Sequence, residues 1–386
     1  MPNLDTDIET PVLELAEALI NCPSVTPDDA NCQTLIADFL KNLGFQCETL
    51  RFGDVDNLWA RLGNTHPLLV FLGHTDVVPP GPLNQWTSPP FQATLREGVL
   101  YGRGASDMKS AIAAMLIAVK RFTRQYPTFP GSIGFLLTSD EEGPSVDGTQ
   151  KVIAALQNRG EKIDYCIVGE PSSNQHTGDQ IRVGRRGSLH GTLTVLGKQG
   201  HVANPHLAKN PIHLSALALD ELAKTTWDQG NDDFPPTTFQ ISNLHSGTGA
   251  ANVIPGHLEA RMNFRFSTAV KAEELQARVQ SILNKHHFDY HLDWHVSAAP
   301  FLTKKGKLLA AAQQAIQAKM GHPAQLSTGG GTSDARFIVP TGAEVIELGV
   351  SNATAHQINE GVALADIECL ADIYHDTLEL LFSRVS

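Results

Sequence analysis

The sequence predicts an α/β protein built on a mixed sheet, interrupted by a smaller inserted domain of ferredoxin-like α+β order. Three observations carry this. The apolar runs Pro67–Gly73 (PLLVFLG), Gly131–Thr138 (GSIGFLLT) and Tyr165–Gly169 (YCIVG) have the length and Gly/Pro punctuation of buried strands. Near Gly184 the pattern changes to strict alternation at Leu189, Gly191, Leu193 and Val195, as in a half-buried antiparallel strand. From there the elements run β-α-β-β-α-β before the α/β style returns. The expected division is residues 1–185 with 298–386 as the larger domain and 186–297 as the insertion.

The elements run in this order. Ile8 to Asn21 has helical spacing and stops before Pro23. Thr26-Pro27-Asp28-Asp29 reads as a helix start, and the helix should run to Leu43 with Gly44 as its cap. Phe45–Leu50 and Asn57–Leu62 read as strands, and Trp86–Phe91 as surface loop. Helices are predicted over Ser110–Arg124 and Gly148–Asn158. In the insertion, helices Pro211–Lys224 and Ala272–Lys285 alternate with strands Thr237–Leu244, His257–Phe266 and Tyr290–Val296. Helix 306–320, strands Ala324–Ser327 and Ala343–Leu348, and helix Leu364–Phe382 complete the larger domain.

Composition narrows the function. Across 386 residues, 41% hydrophobic content fits a substantial core, and a net charge of −12 argues against nucleic acid or an anionic membrane as partner. It leaves room for a small anionic substrate held by local arginines. No leader-like segment or spanning apolar run is expected. The five cysteines are odd in number and form no CxxC pair, which points to a reducing cytoplasm and away from a disulfide framework or a thiolate zinc site.

Chemistry-bearing residues come directly after the buried strands. His74-Thr75-Asp76 succeeds the first run, Asp140-Glu141-Glu142-Gly143 the second, and Glu170-Pro171 the third. Asn352-Ala353-Thr354-Ala355-His356 succeeds a fourth strand, and Asp107 precedes a helix. A lone acidic triplet is ordinarily a solvated turn, and a lone Asp before a helix an ordinary cap. Repeated placement at strand ends argues otherwise, because ligands of open α/β sheets gather beyond the carboxyl ends of strands. Two imidazoles with several carboxylates suit zinc, cobalt or manganese. Five donors, His74, Asp107, Glu142, Glu170 and His356, exceed what one catalytic zinc needs and suit two metals sharing a carboxylate. Such a pair could lower the pKa of a water and polarise a carbonyl. Glu141 is the natural uncommitted base, and Asp76 would orient His74.

At these residues the chain resembles the di-zinc M20 peptidase and deacylase family. The segments HTDVVP, YGRGASDMK, TSDEEG, VGEP and NATAHQ match in order over nearly the whole length. The resemblance implies two Zn2+ per subunit, with Co2+ or Mn2+ also fitting one or both sites. Asp107 would bridge, His74 and Glu170 would hold one metal, and Glu142 and His356 the other. Glu141 would be base and proton shuttle, and the insertion a lid through which the chain forms a homodimer. Segments 184–189, 197–211, 239–256, 263–268 and 327–337 resemble the branch that hydrolyses N-succinyl-LL-2,6-diaminopimelate. The alternative is a related N-acyl-amino-acid deacylase such as an acetylornithine deacetylase. That likeness implies that His201 stabilises the oxyanion in the partner subunit's site. Arg185, Asn252, Arg265, Thr332 and Asn352 would then hold substrate, the two arginines by bidentate carboxylate contacts.

Overall fold

The computed structural model describes residues 11–382. The helical expectation for Ile8 to Thr10 lies outside the described residues. The chain divides into two compact units, one of residues 11–183, 303–327 and 333–382, the other of Gly184–Leu302 and Thr328–Thr332.

The first unit begins with α1 (Val12–Ile20) and α2 (Cys32–Asn42). The second helix starts later than Pro27 predicts, because Ala30 and Asn31 take left-handed backbone (φ 48° and 69°) that a right-handed helix cannot include. Strands β1 (Gln46–Phe52), β2 (Val55–Leu62) and β3 (Leu68–His74) come next. A hairpin of β4 (Thr94–Arg96) and β5 (Val99–Tyr101), unforeseen because its strands have only three residues each, precedes α3 (Ser110–Gln125). Then come β6 (Ser132–Thr138), α4 (Thr149–Asn158), β7 (Tyr165–Val168) and β8 (Gln180–Arg182).

The second unit holds β9 (Gly184–Arg185), β10 (Gly187–Leu196), β11 (Gly200–His201), α5 (Pro211–Lys224) and β12 (Thr238–Ser246). It continues with β13 (Val253–Ile254), β14 (His257–Phe266), α6 (Ala272–Lys285), β15 (Tyr290–Ala298) and β16 (Phe301–Leu302). Its main sheet, ordered β12-β14-β10-β15, is antiparallel. The alternation at Leu189, Leu193 and Val195 buries those side chains with Leu222, Phe264 and Leu275 in a core of its own.

The chain returns to the first unit through α7 (Lys307–Met320), β17 (Gln325–Ser327), α8 (Ala335–Ile338), β18 (Glu344–Glu347), β19 (Gly361–Ala363) and α9 (Leu364–Phe382). Eight strands form one sheet in the order β1-β2-β6-β3-β7-β18-β8-β17. Its centre, β6-β3-β7-β18, is parallel; β1 and β2 run against their neighbours, and β8 runs against β18 while pairing parallel with β17. Strands β3 and β6 are buried at every position, so both faces of the sheet are covered there, as their unbroken apolar runs require. Phe71 packs edge-on against Tyr374 of α9 and beside Phe135 of β6. These contacts anchor the strand whose last residue is His74.

Candidate active site

Because β6, β3, β7 and β18 are parallel neighbours, the segments beyond their C-terminal ends converge, strand spacing being only ~4.8 Å. His74 closes β3, Glu141 and Glu142 lie just past β6, Glu170 lies past β7, and His356 is on the loop after β18. Asp107 reaches the same place from the segment before α3. It is not a helix cap: its backbone is extended (φ −126°, ψ 95°) and it stands clear of the helix. Two glycines make this possible. A Cβ on Gly73 would meet the Met108 Cε at 2.5 Å, and one on Gly169 would meet it at 2.6 Å. The side chain next to Asp107 therefore seats between the ends of β3 and β7, directly before His74 and Glu170.

The Asp107 carboxylate faces both histidines. Oδ1 lies 3.1 Å from His74 Nε2, and Oδ2 lies 3.4 Å from His356 Nε2. Glu170 Oε1 is 3.6 Å from His74 Nε2, and Glu142 Oε1 is 2.8 Å from His356 Nε2. Donor atoms of His74, Asp107 and Glu142 lie within 4.8 Å of one another, as do those of His74, Glu141 and Glu170. His74 Nδ1 donates to the Asp76 main-chain oxygen at 2.9 Å, which fixes the tautomer and leaves the Nε2 lone pair toward the carboxylates.

The Asp76 side chain lies beside the imidazole and also bonds the acidic turn. Its Oδ1 is 3.7 Å from His74 Nδ1, while its two oxygens accept the Glu141 and Glu142 amides at 3.3 and 3.1 Å. The imidazole is oriented by backbone, and the carboxylate ties down the acidic turn. Asp140 secures the far side of that turn by accepting the Val146 and Asp147 amides.

The electrostatics match a cation site. Burial pushes Glu141 well above the usual carboxylate range, reinforced by the Glu170, Asp334 and Glu142 charges and opposed by His74. Burial likewise lifts Asp76 to about 6. For Asp107, burial opposes ionisation, but the His356 and His74 hydrogen bonds outweigh it and hold the carboxyl well below its ordinary value. Asp107 and Glu142 raise His356 to about 10. The donor set, nitrogen and oxygen without thiolate, and the two-sided Asp107 carboxylate fit a pair of divalent ions.

The other residues singled out in the sequence fall into two groups. Asn352 is exposed on the first unit and its amide donates to the Ser173 carbonyl at 3.1 Å. His201, Arg185, Asn252, Arg265 and Thr332 belong to the second unit. There Arg265 Nη1 donates to Thr332 Oγ1 at 2.7 Å, and Arg185 Nη1 to the Gly331 carbonyl at 2.8 Å, so both arginines meet the glycine-rich loop. Exposed His201 pairs with Val253 across the β11–β13 ladder, beside Asn252, and its Nδ1 accepts the Ala203 amide at 3.0 Å. In the neutral ring the proton therefore sits on Nε2, the donor form. Sequence reasoning missed Arg103 and Glu360, which lie four residues from Asp107 and His356. A charge that close to each candidate ligand, inside otherwise apolar or glycine-rich segments, was the available signal.

Comparison with known proteins agrees with this arrangement. The sequence profile of peptidase family M20/M25/M40 matches residues 70–380. A succinyl-diaminopimelate desuccinylase of Alkalilimnicola ehrlichii is 58% identical over 369 residues, 96% of this chain and 98% of that protein. One of Acinetobacter baylyi is 57% identical over 371 residues, again 96% and 98%. Among solved structures, an M20 family metallo-carboxypeptidase from Sulfolobus solfataricus superposes with a TM-score of 0.78 at 19% identity, covering 96% of this chain and 98% of the other. A dinuclear metal binding peptidase of the M20 family from Bacillus subtilis gives 0.70 at 16% identity, covering 98% and 99%. The chain belongs to peptidase family M20/M25/M40. The α/β class with a mixed sheet, expected from the sequence, is the fold of these neighbours.

Proposed function

We propose that this protein is a metal-dependent amidohydrolase that cleaves N-succinyl-LL-2,6-diaminopimelate to succinate and LL-2,6-diaminopimelate, in diaminopimelate and lysine biosynthesis. The observation that carries the substrate is the 57–58% identity, over nearly the full length, to proteins named for that reaction. His74 and Glu170 would hold one divalent ion, Glu142 and His356 the other, and Asp107 both; zinc fits, and cobalt or manganese fit the same donors. When bound, such a pair supplies Lewis acidity at the amide carbonyl and a water of lowered pKa.

The rest belongs to the chain. Glu141, held by its amide on Asp76, takes a proton from the attacking water and delivers it to the amide nitrogen as the C–N bond breaks. Its buried setting, which raises its pKa, favours the second half of that transfer, delivery of the proton to the amine. The second unit is assigned as a lid and dimerisation module. Its His201, protonated at Nε2, would donate to the oxyanion in the partner's site. Arg185, Arg265 and Thr332, gathered at the glycine-rich loop, with Asn252 and Asn352, would hold the substrate carboxylates. No described helix is long and apolar enough to cross a membrane. The free cysteines support a cytoplasmic setting.

The test is kcat/KM measured side by side on N-succinyl-LL-2,6-diaminopimelate and N-acetyl-ornithine, with a chelator control. Preference for the succinyl substrate, lost on chelation, is expected; preference for acetyl-ornithine would overturn the substrate. Light scattering should show a dimer, and a fully active monomer would remove the trans role of His201.

A further inference from the structure

Glu360 is completely buried, yet both its oxygens are filled. Oε1 accepts the amides of Ser106 at 2.8 Å and Asp107 at 3.0 Å. Oε2 accepts the Gly104 amide at 3.1 Å and Arg103 Nη1 at 2.6 Å. One carboxylate thus takes three main-chain donors and a guanidinium from the five residues ending at Asp107. It acts as an anion nest built around an internal anion.

The guanidinium reaches back. Arg103 Nη1 also donates to the Gln357 carbonyl at 3.2 Å, and Nη2 to the His356 carbonyl at 3.4 Å. Ser106 Oγ adds a bond to the Ser351 carbonyl at 2.7 Å, and the Gly102 amide one to the Glu360 carbonyl. The indole of Trp86 covers the guanidinium, 5.3 Å from its centre. Trp86 is buried for this reason, although the loop around it reads as surface.

We infer that Arg103 and Glu360 are positioning residues that lock the Asp107 segment to the His356 loop, and so set the distance between the shared carboxylate and the ligand of one metal only. The asymmetry comes from the supports. His74 and Glu170 follow two central parallel strands, where Met108 packs against the adjoining Gly73 and Gly169. His356 sits on a loop in a left-handed conformation (φ 63°), and its main chain is held by Arg103. A charged pair in this setting serves geometry better than stability, since a buried pair gains little net free energy while fixing two segments in register.

The inference rests on the two-metal reading above, and the experiment separates the two. Purified protein is stripped of metal and titrated with Zn2+ or Co2+ by calorimetry, with cobalt absorption and paramagnetic coupling as a second readout. Wild-type protein, Glu360→Gln and Arg103→Lys are compared. In Glu360→Gln the NH2 group must face either the Ser106 and Asp107 amides or the Gly104 amide and Arg103, a donor against donors in both cases. In Arg103→Lys the charge remains but the reach to the His356 carbonyl is lost. The expected result is two ions in wild type. In each variant one ion should bind with unchanged affinity and the other about 10- to 100-fold more weakly. The cobalt coupling signal should fall accordingly. If wild type binds only one ion, the two-metal reading fails. If wild type binds two and the variants bind both unchanged, or weaken both equally, the positioning role is overturned. Should Glu360→Gln not fold, Arg103→Lys decides alone by the same criteria.

Discussion

Asp76→Asn isolates what the acidic turn owes to a single carboxylate. Asp76 is fully buried and its two oxygens accept the Glu141 and Glu142 amides. An asparagine keeps the shape but offers one oxygen, so one of the two N–H groups must face an NH2 donor. Losing a hydrogen bond to a charged acceptor costs about 1.5–3 kcal/mol. If that cost appears as displacement of the turn, and 1.36 kcal/mol is a factor of ten, kcat/KM falls about 10- to 150-fold. The His74 ring should stay in place, because its Nδ1 bond goes to the Asp76 main-chain oxygen, which the substitution leaves alone. The assay is steady-state kinetics with metal content measured on the same preparation. The expected pattern is a drop mainly in kcat, with the ion at His74 and Glu170 retained. Wild-type kcat/KM in Asp76→Asn would refute the reasoning. Loss of the His74 ion alone would show that the carboxylate serves the imidazole after all.

Three other perturbations have defined outcomes. Glu141→Ala should lower kcat by about 10²–10⁴-fold or more while metal content stays near wild type, and full activity would exclude it as the base. His356→Ala should reduce tightly held metal by one ion per chain, as read by elemental analysis; two tightly held ions would count against its place in the site. Asp164 gives a pH prediction. Burial works against its ionisation, but the Leu68 amide, His66 and Lys162 outweigh it and hold its pKa below normal. A depressed carboxyl contributes stability above the unfolded value of about 3.9, and that contribution is lost as pH falls through the folded value. Asp164→Asn should therefore melt earlier than wild type at pH 7, with the gap closing below about pH 4; a gap that widens in acid would contradict the assignment.

Much of the fold was legible because its signals are local. The runs before His74, Asp140 and Glu170 are buried on both faces, and a strand of that kind has no other way to be written. The alternation from Leu189 marked the second unit's core as clearly. The elements that escaped are short or depend on partners far away in sequence. Strands β4, β5, β8 and β19 have three residues each, too few for a period to show. At the site, the convergence of His74, Glu142, Glu170 and Asp107 could be read from strand ends. The direction of the Asp76 carboxylate could not, because two residues on an extended segment share a side only while the segment stays extended. Arg103 and Glu360 each left a local signal, a charge four residues from a candidate ligand, but not their partnership, which spans more than 250 residues.

The strand order has a consequence for how the chain is made. In the sheet, β18 lies between β7 and β8, and β17 pairs with β8. Both late strands are translated only after the whole of Gly184–Leu302. A nascent chain that has reached Leu302 therefore carries β7 with one hydrogen-bonding edge bare, and the segment bearing His356 does not yet exist. The interrupted unit cannot finish before the interrupting one is synthesised, although domains commonly fold from the N-terminus onward. Loading of the proposed metal pair, which would need donors from both sides of the interruption, would come last and mark a completed molecule. A chaperone guarding that bare edge would be needed most during synthesis of Gly184–Leu302, and a chain truncated at Leu302 should show no cooperative melting of β3, β6 and β7. A sharp transition there would mean that the central strands assemble without their final neighbour.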